Sequence, residues 1–182
     1  PTHDVIAALQ ASPLGEQLAL RLSSGEALAA LKVFRDAVGR LPPVADRGTI
    51  EQLAADFADV YLRHAYRASP TESVWTSDDG LERQAAMLAI RALHRQHAVT
   101  QVDSYKRPED HLVPQLRFAA HLISSDRSGD GPAPAAHFLD AHLLRWIRLF
   151  AGRLVQTDAP AYYTGLALVT ACYLDEAREH LA

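Results

Sequence analysis

The sequence predicts an all-α protein, a compact bundle of several helices. Three observations lead there. Alanine and leucine dominate the 182 residues while β-branched residues are sparse, a bias toward helix over sheet. Apolar side chains recur at helical spacing through most of the chain. No segment of convincing strand-like alternation interrupts them. With 48% apolar and 22% charged residues the composition is that of an ordinary soluble globular domain.

Residues 3–11 read as a short helix, and 14–39 as one or two helices weakened at Ser23-Ser24-Gly25. LPPVADRG (41–48) is a loop, because paired prolines cannot continue a helix. TIEQLAADFADVYLRHAY (49–66) is a helix with Thr49 as the expected N-cap and Leu53, Phe57, Val60 and Tyr61 on one face. Residues 67–80 form a loop with room for one helical turn, since Ser69 to Glu72 has the capping-box pattern. A helix over 80–97 follows, its expected stripe being Leu81, Ala85, Leu88 and Ala92. After a connector (98–107), a further helix has Leu112, Leu116, Ala119, Ala120 and Ile123 as its inner face.

SSDRSGDGPAP (124–134) is the most linker-like stretch. It suggests an N-terminal subdomain of about 1–123, a hinge loop at 124–134, and C-terminal helices over 135–182 within one domain. Such a hinge permits a monomer or a dimer that exchanges its C-terminal helices. Residues 135–155 read as one regular helix with Leu139, Leu143, Trp146, Ile147, Phe150 and Leu154 as its apolar stripe. Asp158 and Pro160 then start a last helix over 162–181.

Several function classes are disfavoured. A formal net charge of −4 gives no reason to expect nucleic-acid binding and suits a cationic partner. A lone cysteine, Cys172, allows no internal disulfide and reads as a small core residue in a reducing compartment. No stretch has the length of a membrane span or the pattern of a signal peptide, so a cytoplasmic location without membrane insertion is expected. No nucleotide-binding glycine motif and no nucleophile motif occurs, and no cofactor or catalytic residue is expected. His94 and His97 share a helix face, but no carboxylate stands at a ligand spacing beside them, and no metal is expected. His142 reads as packed against a partner group. Trp75 is either a core plug or a partly exposed anchor.

The informative stretch is Pro108-Glu109-Asp110-His111. Pro108 suits the first position of a helix, and Glu109 and Asp110 would then face the free N–H groups of its first turn. Capping accounts for those three residues but not for His111, which stays open between a packed and a functional role, nor for Pro114. Pro114 cannot donate to the carbonyl of Asp110. Either the helix kinks, or PEDH is a separate turn, and in both cases acceptors around Asp110 are left open. Two carboxylates, an imidazole and a free carbonyl would make a receptor for an arginine guanidinium.

The motif Pro108 to Leu112 joins others in one order: Asp56-Phe57, Val60-Tyr61, Pro70, Glu72-Ser73-Val74-Trp75, Phe138-Leu139, His142-Leu143-Leu144, Trp146, Phe150, Tyr162-Tyr163 and Leu166. Over about residues 49–170 this pattern resembles the TorD/DmsD/NarJ family of molybdoenzyme-specific chaperones. The resemblance implies a TorD-like helical bundle and a cytoplasmic, non-enzymatic role. The implied partners are the twin-arginine leader and the apo form of a molybdoenzyme catalytic subunit, held back from export until the cofactor is inserted. It places leader binding on Asp110 and His111, with Pro108, Glu109, Leu112, Tyr61, Glu72, Ser73 and Trp75 around them. Two departures stand out: Gln115 where the family usually has an acid, and Pro114 where it usually has no proline. The alternatives are a metal-dependent hydrolase using the histidines and aspartates, and a helical interaction protein without leader specificity.

Overall fold

The computed structural model describes residues 1–101, 107–125 and 133–181, and every regular element among them is helical. The α-helices are α1 (His3–Ala11), α2 (Leu14–Gln17), α3 (Gly25–Gly39), α4 (Arg47–Tyr61), α5 (Glu72–Thr76), α6 (Ala85–Gln96), α7 (Leu112–Ser125), α8 (Ala133–Ala141), α9 (Ile147–Gln156) and α10 (Ala161–His180). A single 3-10 turn, Leu143–Arg145, lies between α8 and α9. The chain divides into two units, Pro1–Ala68 with Phe150–Ala177, and Ser69–Leu149 with Arg178–Ala182. Of the expected hinge at 124–134, residues 126–132 lie outside the described residues.

The first unit is built on α10, whose residues Tyr162 to Gly165, Ala167, Val169, Ala171, Cys172 and Leu174 are buried. Gly165 allows α3 to come close: a Cβ there would stand 2.8 Å from the Phe34 Cα. Phe57, Tyr61, Phe150 and Tyr163 form an aromatic cluster with Tyr61 at its centre, its ring 5.0 Å from Phe57, 5.9 Å from Phe150 and 5.8 Å from Tyr163. Ser24 caps α3, its Oγ accepting from Ala27 N at 3.1 Å. The Glu176 carboxylate caps the same end, accepting from Ser23 N at 2.9 Å and Ser24 N at 3.0 Å. The cap of α4 is Asp46, not Thr49: Asp46 Oδ1 accepts from Thr49 N at 2.8 Å, and the helix starts two residues before Thr49, at Arg47. A carboxylate three residues ahead wins because it presents a charged acceptor to the free N–H groups.

The second unit contains α5 to α8 and the 3-10 turn. The buried face of α6 is Met87, Ile90 and His94, while Leu81, Ala85, Leu88 and Ala92 face outward, opposite to the expected stripe. In α7 the buried side chains are Leu112, Gln115, Phe118, Ala119 and Leu122, so the inner face is rotated from the expected one and Ala120 and Ile123 are exposed. Phe118 is the hub, with ring contacts to His94 at 4.6 Å and Phe138 at 5.0 Å. The helix expected over 135–155 is broken at His142, whose φ of −128° and ψ of −87° are not helical. The stripe nonetheless stays inside: Leu139, Leu143, Trp146, Ile147, Phe150 and Leu154 are all at most 1% exposed.

Candidate functional site

PEDH is a turn ahead of α7, closed by His111 N donating to Pro108 O at 3.0 Å. Helix α7 begins at Leu112, so Pro108 is not its first residue as expected, and Pro114 lies in the first turn instead. No intrahelical donor is lost there. Leu112 N donates outside the helix to Pro70 O at 2.8 Å, Val113 N donates to His111 Nδ1 at 3.2 Å, and Gln115 N makes the first helical bond, to His111 O at 3.2 Å. The two prolines therefore bracket a turn, and neither kinks a helix.

The acceptors expected to stand open on Asp110 are filled from within the chain. Its carbonyl accepts from Glu72 N at 2.9 Å and from Gln115 Nε2 at 2.8 Å. Its carboxylate Oδ2 accepts from Ser73 N at 3.0 Å and, through a shorter bond, from Ser73 Oγ. Asp110 thus caps the one-turn helix α5 across 37 positions of sequence. The Glu72–Asp110 and Leu112–Pro70 backbone bonds flank an isolated antiparallel bridge between Thr71 and His111. The side chain is fully buried, and Oδ1 has no hydrogen-bond partner among the described residues. Burial pushes the Asp110 carboxyl above its ordinary value, and the Glu72 charge adds to that, against the opposing Ser73 hydrogen bonds.

Glu72 is the second fully buried carboxylate. Gln115 Nε2 donates to its Oε2 at 3.0 Å, and His142 Nδ1 stands 3.1 Å from each carboxylate oxygen. Gln115 is thereby explained: its amide donates at once to Glu72 and to the Asp110 carbonyl, which a carboxylate could not do. The break in the helix at His142 places its imidazole against Glu72. Ser73 is also buried, and its Oγ accepts from Gln84 N at 3.0 Å.

Glu109 is 5% exposed and is held by Arg91 in a two-pronged grip, Nε to Oε1 at 2.7 Å and one terminal nitrogen to Oε2 at 3.1 Å. Burial works to raise its pKa, but the Arg91 hydrogen bonds, a backbone donor and the Arg91 charge together hold it below the usual value. Arg91 itself is 35% exposed. Trp75 is half-buried, its Nε1 donating to Ser69 O at 2.7 Å. The structure thus gathers Pro108 to Leu112, Glu72, Ser73 and Trp75 in the second unit, while Tyr61 belongs to the aromatic cluster of the first. Sequence reasoning missed Arg91 and Gln84, and no short-range signal marks either.

His94 and His97 both pack on the Phe118 ring, at 4.6 Å and 5.6 Å. Among the described residues no group of three or more histidines, cysteines, aspartates or glutamates could hold a metal ion, so the hydrolase alternative gains no support. Nor is any helix of the described residues long and apolar enough to cross a membrane.

Residues 22–152 match the family described as nitrate reductase delta subunit. The chaperone protein TorD of Vibrio cholerae is 34% identical over 133 residues, which covers 69% of this chain and 60% of that protein. The chaperone protein TorD of Vibrio vulnificus is 31% identical over 156 residues, 80% of this chain and 71% of that protein. A Haemophilus influenzae protein named "Probable Tat proofreading chaperone DmsD" is 29% identical over 101 residues, 56% of this chain and 47% of that protein. The chain spans about three fifths of the length of its Vibrio cholerae relatives. The match over residues 22–152 includes the whole PEDH turn and its buried partners, and this chain belongs to the TorD/DmsD/NarJ family.

Proposed function

We propose that this chain is a cytoplasmic chaperone dedicated to one molybdoenzyme, binding its twin-arginine leader, its apo form or both, and delaying export until the cofactor is inserted. The observation that carries this reading is the similarity to proteins named TorD and DmsD, the latter a Tat proofreading chaperone. The PEDH turn is the proposed leader site. Asp110, Ser73 and Glu72 act by position, fastening α5 to the turn so that the half-buried Trp75 is held beside it, with His111 and Leu112 packed beneath. Glu109 is the residue we assign to the leader arginine. Its carboxylate already holds a guanidinium through two parallel bonds, and a leader arginine would exchange with Arg91, whose side chain is partly exposed.

The test is calorimetric titration of the full chain with a panel of synthetic twin-arginine leaders from molybdoenzymes. Selective binding of one leader at micromolar strength or tighter, lost when its arginines are replaced by lysine, supports the reading. Binding of an apo-enzyme with no leader bound in isolation would instead favour an interaction protein without leader specificity.

A further inference from the structure

Helices α1, α2 and α3 enclose an open groove of about 460 Å³ within the first unit. Its long wall is one face of α3, on which Leu28, Leu31, Arg35 and Val38 recur at three- and four-residue steps. At 1.5 Å rise per residue that face runs for about 15 Å, the length of three turns of a second helix. Leu9, Pro13 and Leu14 form the opposite wall. Gly15 lets α2 come close to α3 at one end of the groove: a Cβ there would come within 3.1 Å of a Leu31 methyl carbon. Leu28 is 53% exposed, an apolar side chain left on the groove edge.

The rim is cationic on a chain whose formal net charge is −4. Arg21, Lys32 and Arg35 line the groove against a single acid, Glu16. Lys32 is engaged by Asp36 at 2.6 Å, and Glu16 accepts from Ser12 Oγ at 3.1 Å. Arg21 and Arg35 have no ion pair or hydrogen bond among the described residues, and both are exposed. Arg35 also acts through its charge on the neighbouring Asp36. An apolar floor between two exposed guanidiniums is complementary to a helix with an apolar stripe flanked by carboxylates. It is the wrong charge for the arginines of a twin-arginine leader.

We infer that this groove is a second client site, taking an acidic amphipathic helix from the mature part of the partner enzyme. The inference rests on the reading that the chain holds a client, but the site is separate from the PEDH turn in sequence and in charge preference. The groove wall supplied by α1 and α2 lies ahead of residue 22, where the family match begins. An open, elongated groove suits a helix better than a compact small molecule.

The test uses fluorescence anisotropy of the full chain with two labelled helical peptides, both with leucine at positions i, i+3, i+4 and i+7. One carries glutamate at the remaining positions, the other lysine. The glutamate peptide is expected to bind about tenfold or more tightly than the lysine peptide, a difference of about 1.4 kcal/mol. The double variant R21E/R35E is expected to reverse that preference, and L28E to weaken both peptides, with unchanged thermal midpoints because all three residues are exposed. Equal binding of both peptides, or binding of neither, overturns the inference. Binding of oleate when neither peptide binds assigns the groove to a small amphiphile and also overturns it. Leader titration of R21E/R35E keeps the two sites apart: it is expected to match the wild type, and it reports on the PEDH reading whatever the peptides do.

Discussion

Replacing Asp110 by alanine tests the role of the buried turn. The substitution removes the carboxylate that accepts from Ser73 N and Ser73 Oγ. Loss of an N-cap costs about 1 kcal/mol. The stranded donors on Ser73, which is fully buried, add roughly 1–3 kcal/mol. Removal of the unpartnered Oδ1 offsets part of this. A net loss of about 2–3 kcal/mol translates, at roughly 2–4 °C per kcal/mol for a chain of this size, into a fall of about 4–12 °C in Tm. The assay is thermal and urea unfolding followed by circular dichroism, with leader titration alongside. An Asp110 left with open acceptors, as the sequence alone suggests, leads to weaker leader binding without unfolding of the protein. The buried geometry leads to loss of both. A variant with Tm within about 2 °C of wild type and weakened leader binding would refute the anchoring role and return Asp110 to direct contact. Asp110→Asn sharpens the test, because it keeps an acceptor for Ser73 and removes the charge. A carboxyl raised in the folded state binds more protons there than in the unfolded chain. Its contribution is therefore fully present below the unfolded value and is lost as pH rises through the folded one. The stability gap between D110N and wild type should widen in favour of D110N over that window and then level off. A gap independent of pH would refute the raised carboxyl.

Other substitutions read other parts of the molecule. His142→Ala leaves the fully buried Glu72 carboxyl with Gln115 as its remaining side-chain partner and should cost about 1–3 kcal/mol in urea unfolding, while Glu72→Gln in the same background should recover part of it. Gly165→Ala drives a Cβ into the Phe34 backbone and should cost about 1–3 kcal/mol, whereas Gly152→Ala, with nothing within 4 Å, should stabilise α9 by about 0.5–1 kcal/mol. Arg91→Ala should tighten leader binding in calorimetry by freeing Glu109; weaker binding would show Arg91 to be part of the leader surface. The Glu176 carboxyl is held below its usual value by donors from Ser24 and Ser23, so its contribution exists above the unfolded value and is lost as pH falls through the folded one. Glu176→Gln should therefore be less stable than wild type near neutral pH, and the difference should close in acid.

What could be read from the sequence follows the range of the physics involved. The stripe from Leu139 to Leu154 is large, apolar and periodic, and every member is buried. The face of α6 was misread because alanines at 85, 86, 89 and 92 leave two candidate stripes, and only packing selects the one carrying Met87 and Ile90. The break at His142 has no local cause such as proline or glycine; it brings an imidazole to a carboxylate 70 positions earlier. Pro114 leaves a kinked helix and a separate PEDH turn both open, and the structure has the turn; the donors that fill the Asp110 acceptors come from Glu72, Ser73 and Gln115, a pairing that no spacing rule reveals.

The division of the first unit bears on the order in which the chain takes shape during synthesis. Its opening 68 residues have their remaining core, Phe150–Ala177, encoded after the whole stretch Ser69–Leu149. At roughly 5–20 residues per second a ribosome needs about 4–16 s to cross that stretch. Over that interval the middle of the chain can assemble while α3 still lacks both the Glu176 acceptors at its start and the Gly165 surface that fits its backbone. Ribosomal pausing within those codons would thus lengthen the time for which apolar faces of α1 to α4 stand open to other nascent proteins.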